Sequence, residues 1–290
     1  MIPAPTSLRI PLARSLRHFS SLPGSLRVQR MLAPHAVNAG RAPELMLYPF
    51  APRQATGSNP GWTGSTSTFV GWNAYFRGAY EPETLGILST FVAPGATVIE
   101  VGANEGFHSI FAGWCVGRSG RVLAFEPNPT PRTNLRANID RLGWHDRIEV
   151  VAAAVGEAVG ERKFFVPNQT AENQGVGGFA DNSRVPTSAM SLPMTTLDAT
   201  SCKTCALLKL DVQGAEALVL SGGEALIAAC RPLIYFEVDD GGAREAMTIL
   251  RDWNFTIDRV IPRSRPPYFS FAPVTPGWTG NCLARPAPTR

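Results

Sequence analysis

In 290 residues there are only five cysteines, Cys115, Cys202, Cys205, Cys230 and Cys282, too few for a disulfide framework in a chain of this length. A reducing compartment follows, and the cytoplasm is the expected location. Cys202 and Cys205 form a CxxC without a second pair, so a zinc site would have to recruit distant ligands, and no metal is expected. No run of about 18 apolar residues is present to cross a bilayer, which excludes a transmembrane segment. Residues 1–43 hold no acidic residue, only the arginines 9, 14, 17, 27, 30 and 41. Of the 27 basic residues six are therefore in this stretch, leaving 21 against all 23 acidic residues, and a body of that balance is not built for nucleic acid. The basic stretch also lacks apolar periodicity, so it is expected to be a flexible arm, with a separate domain over residues 44–290. Its other readings are a weak anchor to an anionic surface and an Arg-rich organellar transit segment. A secretory signal is not expected, since no apolar core of about 7–15 residues is found near the start.

What is present centres on Ala96–Ser109, ATVIEVGANEGFHS. Thr97, Val98, Ile99 and Val101 have buried-strand character and run into Gly102–Gly106. Phe107, Ile110, Phe111 and Trp114 then fall at i, i+3, i+4 and i+7, the spacing of one helix face. A strand, a glycine turn and a helix in that order direct free N–H groups at a carboxylate or phosphate. A second strand, RVLAF at 121–125, ends in Glu126, placed about 20 residues beyond the turn, where an acid accepts the hydroxyls of an adenosine ribose. The turn lacks the third glycine of GxGxxG, which fits a dinucleotide less well and suits a shorter methionine carboxylate.

Along the rest of the chain, Glu44–Tyr48 reads as a strand followed by a Gly-, Ser- and Pro-rich loop, and a helix begins near Glu83 and closes at Pro94 and Gly95. A helix carrying Leu135, Ile139 and Leu142 and a strand at Ile148–Ala152 complete two βαβ units. Lys163–Val166 and Ser191–Met194 read as an inserted β-hairpin with a mobile tip at 168–188. Strands follow at Ala206–Val212, Leu233–Val238, Phe255–Val260 and Asn281–Ala284, with helices at Ala215–Ala229, broken at Gly222 and Gly223, and through Met247, Leu250 and Trp253.

Five ordered motifs, VIEVGANEG (98–106), AFEPNP (124–129), TTLD (195–198), LLKLDVQGAE (207–216) and RPLIYFEV (231–238), resemble the FkbM family of S-adenosylmethionine-dependent methyltransferases. The likeness extends over roughly residues 75–285, with GAYEPE before the helix and NCLA in the last strand. It implies an α/β class I methyltransferase (Rossmann-like) fold, a seven-stranded mostly parallel sheet with its last strand antiparallel. It also implies O-methylation of a hydroxyl on a sugar, glycan, polyketide or related small molecule. Mapped onto this chain, it places the cofactor over Glu100, Gly102, Ala103, Asn104 and Gly106, the ribose on Glu126, and the adenine near Ala153, Ala154 and Val155. The family usually has a glutamate where Gln213 stands here.

An alcohol is a poor nucleophile, and a positioned base helps its attack. Asp211 at a strand end, Glu216 at the start of the next helix and His108 one turn into the first helix are the catalytic candidates, with Glu237 at the adjacent strand end. Each also has a structural reading, as cofactor ligand, first-turn helix acid, packed imidazole or loop anchor. Two rival functions remain open: a nicotinamide-dependent oxidoreductase, and a cofactor-binding protein without catalysis, of which Gln213 would be a sign.

Overall fold

A computed structural model of the chain describes residues 6–16, 25–33, 43–167, 187–238 and 243–288. Its main sheet has eight strands in the order β12-β11-β13-β10-β9-β3-β4-β5. These are β3 (Thr97–Val101), β4 (Arg121–Phe125), β5 (Ile148–Val151), β9 (Leu207–Leu210), β10 (Leu233–Val238), β11 (Phe255–Pro262), β12 (Phe269–Pro273) and β13 (Gly280–Pro286). β5, β4, β3, β9 and β10 run parallel, and β13 is antiparallel to both β10 and β11. Seven strands match the expected sheet. The eighth, β12, pairs antiparallel with β11 at the edge and was not anticipated.

Side-chain alternation divides the sheet's two faces between two cores. Val98, Val122, Ala124, Leu207 and Tyr235 enter one core, while Ile99, Val101, Leu123, Phe125, Leu208 and Phe236 enter the other. The first core is closed by α3 (Phe69–Arg77), α4 (Pro82–Phe91), α5 (Phe107–Val116) and α6 (Pro129–Leu142). The second is closed by α7 (Glu216–Ser221), α8 (Glu224–Cys230) and α9 (Ala243–Asp252). The same alternation puts two charged residues, Glu100 and Lys209, on the α4 and α5 face in the midst of apolar strands.

α5 is buried along its whole length. Its outer side is covered by a small antiparallel pair, β1 (Glu44–Met46) and β2 (Trp62–Gly64), and by the segment between them. Tyr48 Oη donates to Phe107 O at 2.7 Å and Trp62 Nε1 donates to Glu105 O at 3.0 Å, so this segment fastens the glycine turn from outside. The expected loop before residue 80 therefore contains α3. The inserted hairpin is present and longer than expected: β7 (Gly160–Pro167) pairs antiparallel with β8 (Thr187–Thr195), and β6 (Ala154–Val155) joins β8 to make a three-stranded sheet. The tip expected to be mobile lies, for residues 168–186, outside the described residues.

Residues 1–43 were expected to be a flexible, disordered or loosely docked arm. Among the described residues they form α1 (Thr6–Ser15) and α2 (Ser25–Leu32). Gln29 is buried and donates to Ala13 O and Phe76 O, Trp72 Nε1 donates to Ala33 O at 2.8 Å, and the Arg14 guanidinium lies 4.4 Å from the centre of the Tyr75 ring. The docking face was invisible as periodicity because its buried members are alanines and a glutamine. Among the described residues no helix is long and apolar enough to cross a membrane.

Candidate active site at the carboxyl ends of the central strands

The turn after β3 is held by its neighbours. Gly102 N and Ala103 N both donate to Phe125 O at the end of β4, and Asp211 N donates to Val101 O. Gly102 has φ +86, and a Cβ there would stand 2.0 Å from Asp211 O, so only glycine lets β3 and β9 end this close together. Asn104 takes a left-handed φ of 50 and Gly106, with φ +80, starts α5.

Glu126 closes this turn from β4. Its Oε2 accepts from Asn104 N at 2.7 Å and its Oε1 from Asn128 N at 2.8 Å. The side chain is buried, and burial raises its pKa from 4.5 to about 7 against the pull of those two N–H groups and of Arg132. Glu126 N donates to Val151 O at 3.1 Å, at the end of β5, from which the chain continues to Ala154 in β6. Glu105, also raised to about 7 by burial, instead points at α6, with Asn134 Nδ2 3.4 Å from its Oε2.

A second polar group lies beside the turn. Lys209, 3% exposed, is 3.2 Å from Glu100 Oε1 and 3.3 Å from Asp211 Oδ2. Burial pushes its pKa down, but Asp211, Glu100 and Glu81 outweigh that and hold it above the usual lysine value. Glu81, the N-cap of α4 with φ 44, accepts from Thr84 Oγ1 at 3.1 Å and lies 3.8 Å from His108 Nε2. Burial, reinforced by Asp211 and opposed by Lys209, raises Glu81 to about 7. His108 is stacked on Tyr80, ring centres 5.4 Å apart, and burial together with Lys209 drives its pKa well below the usual imidazole range, so it is neutral.

Two of the expected site residues are fully enclosed in this arrangement. Glu100, assigned to the cofactor, is 2% exposed, with its carboxylate enclosed between Ser109 Oγ and Lys209; it supports the turn from beneath. Glu216, a catalytic candidate, is equally buried, and its Oε1 faces Val212 N at 3.3 Å and Gly214 N at 3.5 Å, bracing the turn in which Gln213 is left-handed at φ 54. Gly102, Ala103, Asn104, Gly106, Glu126 and Asp211 are brought together, and His108 stands behind them beside Glu81 and within the field of Lys209. Sequence reasoning missed Glu81 and Lys209. Lys209 carried a signal, one charge inside the apolar run LLKL.

A family model described as the Methyltransferase FkbM domain matches residues 100–257, more than half of the chain. The chain belongs to the FkbM methyltransferase family. Its cofactor is accordingly S-adenosylmethionine, and its eight-stranded sheet is the class I fold with one added edge strand. Similar solved structures include the methyltransferase FkbM from Methylobacillus flagellatus KT, 13% identical, covering 95% of this chain and 58% of that one, with a TM-score of 0.47. An S-adenosylmethionine-dependent O-methyltransferase from Thermotoga maritima is 13% identical over 73% of this chain and 67% of its own, TM-score 0.42. The O-methyltransferase from Bacillus cereus, in complex with SAH, is 15% identical over 71% of this chain and 80% of its own, TM-score 0.42. No curated protein matches the chain.

The site of this FkbM chain fits the cofactor chemically. Each Glu126 oxygen accepts one backbone N–H and keeps a lone pair for a hydroxyl donor, and the buried Asn104 Oδ1 has no hydrogen-bond partner among the described residues. When bound, the cofactor supplies an electrophilic methyl group on sulfur.

Proposed function

We propose that this chain transfers a methyl group to a hydroxyl of a small-molecule or carbohydrate acceptor such as a sugar, glycan or polyketide. The turn from Gly102 to Gly106 receives the methionine end of the cofactor, Glu126 the ribose, and the corner of Ala154 the adenine. Asp211, its side chain 27% exposed at the strand end and paired to Lys209, faces the reacting region. The observation that carries this reading is the pair of carboxylates, Glu81 and Asp211, coupled to one buried lysine at the carboxyl end of the central strands. An acceptor hydroxyl needs such a group to take its proton, and holding oxygen and methyl in near-attack geometry supplies much of the remaining acceleration.

Calorimetry with S-adenosylmethionine, its demethylated product and NAD should give saturable binding of the first two alone. Glu126→Ala should weaken that binding about 10- to 100-fold, as expected for losing a charged acceptor of two hydrogen bonds. Transfer of labelled methyl onto a panel of hydroxylated sugars and polyketides should give ether products. Label on nitrogen or sulfur would exclude a hydroxyl acceptor, and tight cofactor binding with no transfer to any acceptor would favour the non-catalytic reading.

A further inference from the structure

A cavity of about 640 Å³ is lined in part by Glu81 and not by Lys209. Asn73 and Arg77 of α3, Tyr80, and Arg263 and Tyr268 from the turn between β11 and β12 form its walls, and Glu81 lines it too. That turn is brought against α4 at Gly86, where a Cβ would meet Pro267 O at 2.0 Å, and Tyr268 is stacked on Phe50 with ring centres 4.7 Å apart. The wall is therefore fixed by packing from two directions. Asp211 and His108 do not line the cavity, and His108 is 4% exposed beneath the Tyr80 ring.

Resting on the hydroxyl-methylation reading above, we infer that this cavity holds the acceptor and that Glu81 is the catalytic base that takes its hydroxyl proton. Three observations converge. Glu81 is the carboxylate that belongs both to the cavity wall and to the Lys209 cluster. Its backbone is left-handed, φ 44 and ψ 68, and starts α4 through its carbonyl alone: the side chain makes no cap hydrogen bond to the helix N–H groups and is left to the cavity and the cluster. Its surroundings also place its proton affinity near neutrality, where a base is both largely ionised and able to hold the proton it receives.

The groups around it are His108 from α5, Lys209 from β9 and Asp211 just beyond that strand's end, Tyr235 from β10, Tyr80 and Glu83 from its own segment, and Arg77 and Arg263 from the cavity wall. His108 is neutral and Lys209 charged. The ionised form of Glu81 is thus opposed by Asp211 and supported by Lys209. In the step itself the acceptor O–H bond breaks and its proton passes to a Glu81 oxygen. The freed electron pair makes the O–CH3 bond, the C–S electron pair stays on sulfur, and the carboxyl then releases its proton to water.

The test compares Glu81→Gln, Glu81→Asp and Asp211→Asn in the full-length protein. With an acceptor found in the labelled-methyl panel, wild-type kcat should rise with pH through about 7. Glu81→Gln should lose this limb and about 100- to 10,000-fold in kcat, with affinity for the demethylated cofactor within about threefold. Glu81→Asp should recover part of the rate, and Asp211→Asn should keep the limb. A limb that survives in Glu81→Gln and vanishes in Asp211→Asn overturns the assignment. If the wild type methylates nothing, the function reading fails, and infrared titration decides whether Glu81 is a titrating group at the cavity. A protonated-carboxyl band lost between pH 6 and 8 in the wild type, and weaker in Glu81→Gln by the share of one of the three carboxyls that titrate there, supports that placement; a band undiminished in Glu81→Gln, or absent from the wild type, overturns it.

Discussion

Lys209 holds its site together by charge. Removing it leaves Glu100, 2% exposed, without its cation and sets Asp211 and Glu81 against each other. Breaking a buried pair from one side costs about 3–5 kcal/mol, so Lys209→Met should lower the urea midpoint markedly, and adding Glu100→Gln should recover part of the loss. A midpoint unchanged by Lys209→Met would mean that the pair is solvated. The glycine turn and the Glu126 strand end were legible in sequence because all their determinants are local. Glu81 was not. Its meaning depends on meeting Lys209 and Asp211, which the sheet brings to it from far along the chain, and no spacing rule encodes that meeting. The burial of Glu100 and Glu216 was illegible for a related reason, since a carboxylate beside a ligand and one turned inward as a brace have the same sequence.

Secondary structure was legible wherever one face is apolar and the other polar. α5 and α6 and the strands β3, β4, β9 and β10 stand where periodicity and turn residues put them. α3 was missed because Val70 through Phe76 are all buried, which erases the polar face that marks a helix. β12 was missed because a strand of five residues between prolines offers little alternation. The α1 and α2 pair is the most consequential of these differences. Deleting residues 1–40 removes the carbonyl that receives Trp72 Nε1–H and uncovers Phe76, which is 0% exposed. The truncated protein should melt several degrees lower while retaining cofactor affinity, because the hydrogen bonds found for these helices go to α3. Differential scanning calorimetry and product-binding calorimetry check both halves of that statement; an unchanged melting temperature would show that the pair lies on the body without stabilising it.

Across the molecule, three carboxyl groups, Glu81, Glu105 and Glu126, share a pKa raised from 4.5 to about 7 chiefly by burial. A raised folded-state value means that the folded protein holds protons the unfolded chain would release. The stability they contribute is complete below pH 4.5 and is lost as pH rises through about 7. The ligand-free protein should therefore melt at lower temperature at pH 8 than at pH 5.5, and Glu105→Gln should flatten that slope. Bound cofactor should oppose it, since ribose hydroxyls donated to Glu126 favour the ionised form. The gap in melting temperature with and without the demethylated product should widen as pH rises, and a constant gap would place the ribose elsewhere.

The position of β13 constrains how such a molecule is made. β11 reaches the sheet through β13, and β13 is inserted between β10 and β11 although it follows both in the chain. While the ribosome is still adding residues before 280, β10 presents an unpaired edge and the β11–β12 hairpin has nowhere to dock. Synthesis at about 5–20 residues per second leaves that edge open for seconds, long enough for a chaperone or for another nascent chain to find it. A ribosome stalled short of residue 280 would therefore carry a chain with its glycine turn and Glu126 already made and its sheet still open at the middle.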